Sequence, residues 1–275
     1  QAALAEDLGR TGDSTSKALV GEHVRGSAHF AARQAGVLAG LEAARILVAR
    51  VDGTVAWEWK CRDGASVGPG TKLARATGRL RSLLAAERVA LNFVQRLSGV
   101  ATLTRRFVDA IGGLPCGIYD TRKTTPGWRV LEKYAVRVGG GHNHRMGLHD
   151  AVLIKDNHLV AWRLHARDRS LAQAVRVARA AVPPGTVIEI EVDSIDQLED
   201  ALLGGPDIVL LDNMPLAHLR AAVALRQARA PKLVLEASGG ITLETVRQVA
   251  ETGIDRISVG ALTHSAPALD IALDF

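Results

Sequence analysis

From about residue 120 onward the chain repeats one pattern: a short β-branched run, in most cases apolar and ending in polar or glycine residues, then a helical stretch. The runs are CGIYDTRK (116–123), AVLIKDNH (151–158), TVIEIEVDS (186–194), DIVLLDN (207–213), KLVLEASGG (232–240) and DRISVGALTHS (255–265). Between the later runs, Leu216, Leu219, Ala222 and Val223, and then Leu243, Val246 and Val249, fall where one helix face would bury them. Strand, helix and strand in repetition imply parallel strands, because a crossover helix returns the chain to the same end of the sheet. The expectation is a (β/α) barrel whose chemistry lies at the C-terminal strand ends. Six runs are clear, so either the barrel is short of eight strands or further strands lie outside these runs.

The first hundred residues read differently. Glycine-rich turns at Asp52-Gly53, Asp63-Gly64 and Gly68-Pro69-Gly70 separate short strand-like pieces such as VAWEW (55–59), which predicts a small, mostly antiparallel sheet. A long helical stretch follows over 79–111, with Leu80, Leu83, Leu84, Leu91, Val94 and Leu97 on one side and Ser98-Gly99 expected to break it in two. The predicted organisation is an N-terminal α+β domain over 1–110 and an α/β barrel over 111–265, with the tail 266–275 packing on the first domain.

Charge narrows the function classes. Of a formal net charge of +5, much is concentrated in residues 120–145, where Arg122, Lys123, Arg129, Lys133, Arg137 and Arg145 face only Asp120 and Glu132. A local surplus of this kind suits a pocket for a small polyanion better than a long basic face, and aromatics at 4% with no stacking motif argue against a nucleic-acid partner. Cys61 and Cys116 stand in no metal-like spacing and read as reduced thiols. No apolar run approaches the ~18 to 20 residues that span a bilayer, and no secretory leader is visible, so no membrane partner is expected and the location expected is cytoplasmic.

Arg122 and Lys123 follow the first barrel run and Lys155 follows Val152, Leu153 and Ile154 directly, a costly place for an ammonium unless an anion meets it. Gly139-Gly140-Gly141 gives the backbone freedom to bring His144 and Arg145 onto a carboxylate, whereas His142 reads as solvated. Arg129, Lys133 and Arg137 recur every four residues and read as a solvated or interface face. In TVIEIEVDS, strand alternation sends Glu189, Glu191 and Asp193 to the face opposite Ile188, Ile190 and Val192. Glu191 and Asp212 then form a carboxylate pair at adjacent strand ends, suited to Mg²⁺, with a structural hydrogen-bonding role as the alternative for either acid. Ser238-Gly239-Gly240 and Val259-Gly260-Ala261 open consecutive late loops where backbone N–H groups can cradle phosphate, and His264 reads equally as a ligand or as packing. The absence of GxxxxGK[ST] and GxGxxG weakens nucleoside triphosphate and dinucleotide readings. A sugar phosphate bearing a second phosphate group, with an anionic acceptor, fits best.

These residues also resemble a family. DTRKTTPGWRVLEKYAVRVGGGHNHRMGLHDAVLIKDNH is similar to the signature of the quinolinate phosphoribosyltransferases, and AEDLGRTGDSTS, AGVLAG, ERVALNFVQRLSGVATLT, EVDS, LLDN, EASGGI and VGALTHS agree in the family's order. The resemblance implies an N-terminal sandwich-like domain on an incomplete barrel. It implies the transfer of phosphoribosyl from phosphoribosyl pyrophosphate to quinolinate with loss of CO₂, supported by Mg²⁺, in NAD biosynthesis. It assigns Arg88, Thr121, Arg122, His144, Arg145 and Lys155 to quinolinate. Lys123, Glu191, Asp212, Ser238, Gly239 and Gly260, with the adjoining Gly240, Ala261 and His264, go to the donor, and Glu191 and Asp212 hold its metal. Lys123, Lys155, Glu191 and Asp212 are the expected catalytic set. Arg88 is expected to enter the site of a second subunit, which makes the active unit a homodimer or a higher oligomer. A nicotinate-using relative is the nearest rival, but one carboxylate would leave this set of cations excessive.

Overall fold

Strands β1 (Arg25–Ala32), β2 (Gly36–Val37), β3 (Ala56–Trp59), β4 (Ser66–Val67) and β5 (Lys72–Arg79) precede the barrel region. Strands β6 (Gly117–Tyr119), β7 (Val152–Ile154), β8 (Ile188–Val192), β9 (Ile208–Asp212), β10 (Val234–Ser238) and β11 (Arg256–Ser258) correspond to the six apolar runs, and β12 (Ile271–Asp274) ends the chain. The computed structural model describes residues 1–164 and 168–275. It divides into one unit of Gln1–Arg105, Val130–Gly140 and Ser265–Phe275 and another of Arg106–Arg129 and Gly141–His264.

In the first unit an antiparallel sheet has the order β12-β1-β5-β3, and β2 pairs with β4 beside it. Leu73 and Ala74 of β5 are buried with Phe30 of β1 against Leu41, Leu47, Leu91 and Val94 of two helices. Each of the leucine, valine and phenylalanine side chains so withdrawn from water contributes roughly 1.5–3 kcal/mol before chain entropy is counted. The helix Leu80–Ala110 runs unbroken for 31 residues, so the expected break at Ser98-Gly99 does not occur. Both residues serve close packing instead: Ser98 Oγ accepts from Ala39 N–H at 2.9 Å, and a Cβ at Gly99 would stand 2.0 Å from the Pro267 carbonyl oxygen.

The helix Arg129–Val138 also departs, at Lys133, from the solvated or interface face expected of its basic residues. Lys133 is 1% exposed, and Glu132, wholly buried, receives the Arg96 guanidinium at 2.7 Å. Arg137 alone of the three is exposed. A four-residue spacing places groups on one helix face, but the hydrophobic neighbours Ala135 and Val136 turn much of this short helix inward.

In the second unit the parallel strands follow the order β6-β11-β10-β9-β8-β7. The edges β6 and β7 are not paired to each other, which leaves the barrel open. Ile188, Ile190 and Val192 are at most 1% exposed on one face of β8, so Glu189 and Glu191 project from the other, as strand alternation requires. Of the helix faces read from the sequence, Leu219, Ala222, Val223, Val246 and Val249 are buried, whereas Leu216 is half-buried and Leu243 lies in the turn before its helix.

Candidate active site

Alternate residues of neighbouring parallel strands share a face, and the register decides which of them meet. Glu191 lies opposite Leu210, Leu210 opposite Glu236, and Asp212 opposite Ser238. These side chains, with Leu153 and Ser258, form the wall of a cavity of about 630 Å³. Thr121, Arg122, Lys123, His144, Arg145, Lys155, Asn213, Gly239 and Gly240 complete it. Eleven of the residues singled out from the sequence therefore converge on one space: Thr121, Arg122, Lys123, His144, Arg145, Lys155, Glu191, Asp212, Ser238, Gly239 and Gly240.

The cations reach it on braced loops. Arg129 donates to Thr124 Oγ1 at 3.1 Å, to the Met146 carbonyl at 3.0 Å and to the Arg122 carbonyl at 3.4 Å, joining the loop after β6 to the one that carries Arg145. Arg145 itself donates to the Ala151 carbonyl at 2.9 Å. Burial, and then the nearby Arg122 charge, depress its pKa, so both guanidiniums crowd a place where an anion would relieve them. Arg122 Nε is buried with no hydrogen-bond partner among the described residues, an open donor at the cavity. Lys155 is less enclosed than its apolar run suggests: its side chain is 46% exposed and pairs with Glu191 Oε2 at 2.9 Å. His142 is exposed as expected, and its ring stacks on Tyr119 at 5.0 Å.

His144 meets two carboxylates. Its Nε2 lies 3.1 Å from Glu189 Oε2 and 3.5 Å from Glu236 Oε1, and both acids are buried. Burial pulls the imidazole pKa down, but the two acids outweigh it and raise it to about 9. The Arg145 amide approaches Nδ1 at 2.8 Å, a contact that suits a neutral ring. Against that hydrogen bond stands the cost of leaving two buried carboxylates without a positive charge beside them. The two acids favour the protonated imidazole. The three ligand atoms lie within 4.8 Å of one another, a spacing a metal can use, but Arg256 Nε stands 3.0 Å from Glu236 Oε2 and already brings a positive charge to the cluster.

At the ends of β9 and β10 the backbone is set for an approach without side chains. Gly239 and Gly240 have φ of +97° and +59°, and a Cβ on Gly239 would fall 2.1 Å from Asn213 Oδ1. Asn213, itself at φ 51°, donates its backbone N–H to the Ser238 carbonyl and its side-chain amide to Asp212 Oδ2, each at 2.8 Å. Gly260, Ala261 and His264 are not among the cavity residues. They lie beside it: a Cβ at Gly260 would come within 3.1 Å of both Lys123 Cδ and His264 Nε2, and Thr263 Oγ1 donates to the Lys123 carbonyl at 2.8 Å. Arg88 is an exposed residue of the helix Leu80–Ala110 in the other unit, with no hydrogen bond or ion pair among the described residues.

Sequence reasoning missed Asn213, Glu236, Ser258 and Arg256. The acid inside the apolar run VLEAS was a visible signal for Glu236, of the same kind that drew notice to Glu189 and Glu191. Nothing in the local pattern marked Arg256, whose partner comes from the adjacent strand.

Comparison with known proteins places the chain in a family. The quinolinate phosphoribosyl transferase N-terminal domain matches residues 13–98 and its C-terminal domain matches residues 100–274. The nicotinate-nucleotide pyrophosphorylase [carboxylating] of Mycobacterium leprae (strain TN) is 46% identical over 99% of this chain and 94% of its own length. Quinolinate phosphoribosyltransferase [decarboxylating] 1b of Nicotiana tabacum is 42% identical over 99% of this chain and 80% of its own. The crystal structure of NadC from Streptococcus pyogenes superposes with a TM-score of 0.93 at 40% identity, covering 100% of this chain and 93% of that one. With both domains matched in order over nearly its whole length, the chain belongs to the quinolinate phosphoribosyltransferase family.

Proposed function

We infer that the protein transfers phosphoribosyl from phosphoribosyl pyrophosphate to quinolinate with decarboxylation, giving nicotinate mononucleotide, pyrophosphate and CO₂ for NAD synthesis. The two names carried by its relatives describe this one reaction in its two directions. The observation that carries the reading to this chain is the convergence of Arg122, Lys123, His144, Arg145 and Lys155 on a cavity that also holds Glu191 and Asp212. Two carboxylates on the acceptor and a phosphate with a pyrophosphate on the donor would repel one another in a neutral site. The cations offset that repulsion.

In this reading Thr121, Arg122, His144, Arg145 and Lys155 grip the acceptor carboxylates, and Lys123 faces the donor. Ser238, Gly239 and Gly240 offer backbone N–H groups to phosphate, with Gly260, Ala261 and His264 closing the same side. As the bond from the anomeric carbon to pyrophosphate opens, positive charge grows on the sugar and negative charge on the leaving group. Fixed charges around them stabilise that separation. Once glycosylated, the ring nitrogen is cationic and can receive the electron pair left when the neighbouring carboxylate departs as CO₂. Glu191 and Asp212 suit Mg²⁺, since they are hard oxygen donors from adjacent strands at one cavity, and Asn213 orients one of the Asp212 oxygens. Bound there, Mg²⁺ would neutralise charge on the pyrophosphate.

Arg88 completes the proposal as a residue that serves a second copy of the chain, so that the working unit is a homodimer. No helix among the described residues is long and apolar enough to cross a membrane, consistent with a cytoplasmic enzyme. The test is release of labelled CO₂ from quinolinate, expected only with phosphoribosyl pyrophosphate and Mg²⁺ present. Changing Glu191 and Asp212 together to their amides should raise the Mg²⁺ needed for half-maximal rate. An unchanged metal requirement would mean that the two acids are structural.

A further inference from the structure

The barrel interior beneath the cavity carries charge where packed aliphatic layers are usual. Glu236 on β10 and Arg256 on β11 are paired in register, with Arg256 Nε 3.0 Å from Glu236 Oε2. The Arg256 guanidinium lies over the Tyr119 ring at 4.8 Å. The opposite oxygen of Glu236 faces His144 Nε2 at 3.5 Å, and Glu189 meets the same nitrogen from β8 at 3.1 Å; the Glu236 contacts to His144 and Arg256 are contacts of charge without hydrogen-bond geometry. The His144 backbone N–H donates to Asp120 Oδ1 at 2.8 Å, so both its main chain and its ring are tied. Glu236 is wholly buried, Glu189 is 2% exposed, and the side chains of His144 and Arg256 are 10% and 14% exposed. A buried ionic cluster is poor value for stability alone, since a well-packed apolar replacement is often as stable or more so. Arg145 also interacts with Glu189, and Asp120 adds a third buried acid, so a protonated imidazole helps to balance the acids around it.

We propose that Glu236 and Glu189 are positioning residues for the transfer reaction: from beneath the cavity they hold the His144 ring by Nε2 as a fixed cation for an acceptor carboxylate, and Arg256 holds Glu236 in place. The proposal rests on the phosphoribosyl-transfer reading of the cavity. It assigns to Glu236 an action through His144 and no contact of its own with the acceptor, although its residue reaches the cavity wall. An alternative, that Glu236 meets the ligand directly or only maintains the fold, predicts a loss that does not depend on His144.

A double-mutant cycle separates these. Quinolinate binding is measured by calorimetry on the full chain for the wild type, Glu236→Gln, His144→Ala and the double variant. The expected result is about tenfold weaker binding for Glu236→Gln alone and no more than about twofold further loss when it is added to His144→Ala, because coupled residues are non-additive. The same tenfold loss in both backgrounds overturns the proposal. Glu189→Gln gives the same cycle should Glu236→Gln fail to fold. Nitrogen NMR of the ligand-free protein provides an arm independent of substrate, with the His144 signal identified by its absence in His144→Ala. Near pH 8 the wild-type ring should be doubly protonated, and either amide variant should shift it toward the neutral form. An unmoved ring signal overturns the proposal. A wild type that ignores quinolinate while the NMR arm responds as expected would instead remove the assigned acceptor and leave the positioning of His144 standing.

Discussion

At the scale of single residues, exposure separates chemical from structural roles. The Lys155 side chain is half exposed and its partner Glu191 is 15% exposed, so the pair contributes at most about 1 kcal/mol to stability. Lys155→Ala should therefore leave the melting temperature nearly unchanged while lowering kcat/KM by about a hundredfold or more, and Lys123→Ala should behave alike. Near-normal kinetics in either variant would remove that lysine from the site. His144 predicts a pH dependence whose sign follows from its raised pKa. The group titrates near 6.5 when unfolded and near 9 when folded, so its stabilising contribution is complete below about pH 6.5 and is lost as pH rises through about 9. The unfolding free energy of the wild type minus that of His144→Asn should shrink over this interval. A difference that stays flat with pH would mean that the imidazole is neutral in the folded protein.

At the scale of elements, the helix Leu80–Ala110 shows how packing overrules propensity. Alanine is about 1 kcal/mol better than glycine inside a helix, so Gly99→Ala should stabilise an isolated segment. In this protein the new Cβ would lie 2.0 Å from the Pro267 carbonyl oxygen and 3.0 Å from Ala268 Cα. These are backbone atoms, which cannot swing aside as a flexible side chain can. Overpacking of this kind costs about 1–3 kcal/mol, and the variant should be destabilised in a urea titration. A gain in stability would show that the C-terminal segment moves away at little cost. The same contact explains why a residue pair that looks like a helix break lies within a continuous helix.

At the scale of the whole molecule, the prediction concerns the exposed Arg88 and the oligomer proposed around it. Arg88→Ala should spoil the site of a partner, whereas Lys155→Ala spoils the site of its own chain. Mixed in one dimer, the two variants concentrate both defects in one site and leave the other intact, so each mixed dimer should recover about half the wild-type activity. Losing a charge-assisted contact with quinolinate should weaken binding in Arg88→Ala by roughly 2–5 kcal/mol. Absence of recovery, with subunit exchange demonstrated by a separate label, would assign Arg88 to its own chain or to no site.

The parallel barrel and its sequence of strand ends were legible because strand and helix periods are local: a run such as DIVLLDN shows its apolar strand and polar end within seven residues. For the same reason Lys123, Lys155, Glu191 and Asp212 could be placed at one mouth from their positions after apolar runs. The sequence also carried the family resemblance on which the proposal for Arg88 rests, since its local setting is an ordinary helix surface. What tertiary structure decided was which buried groups face one another. Lys133 went inward although its charge spacing suggested solvent, Gly99 met a backbone more than 160 positions away, and His144 found Glu189 and Glu236 from strands far along the chain. A charge pattern along the chain specifies where a side chain begins, but its protonation and role depend on neighbours that only strand register and loop closure bring within a few ångströms.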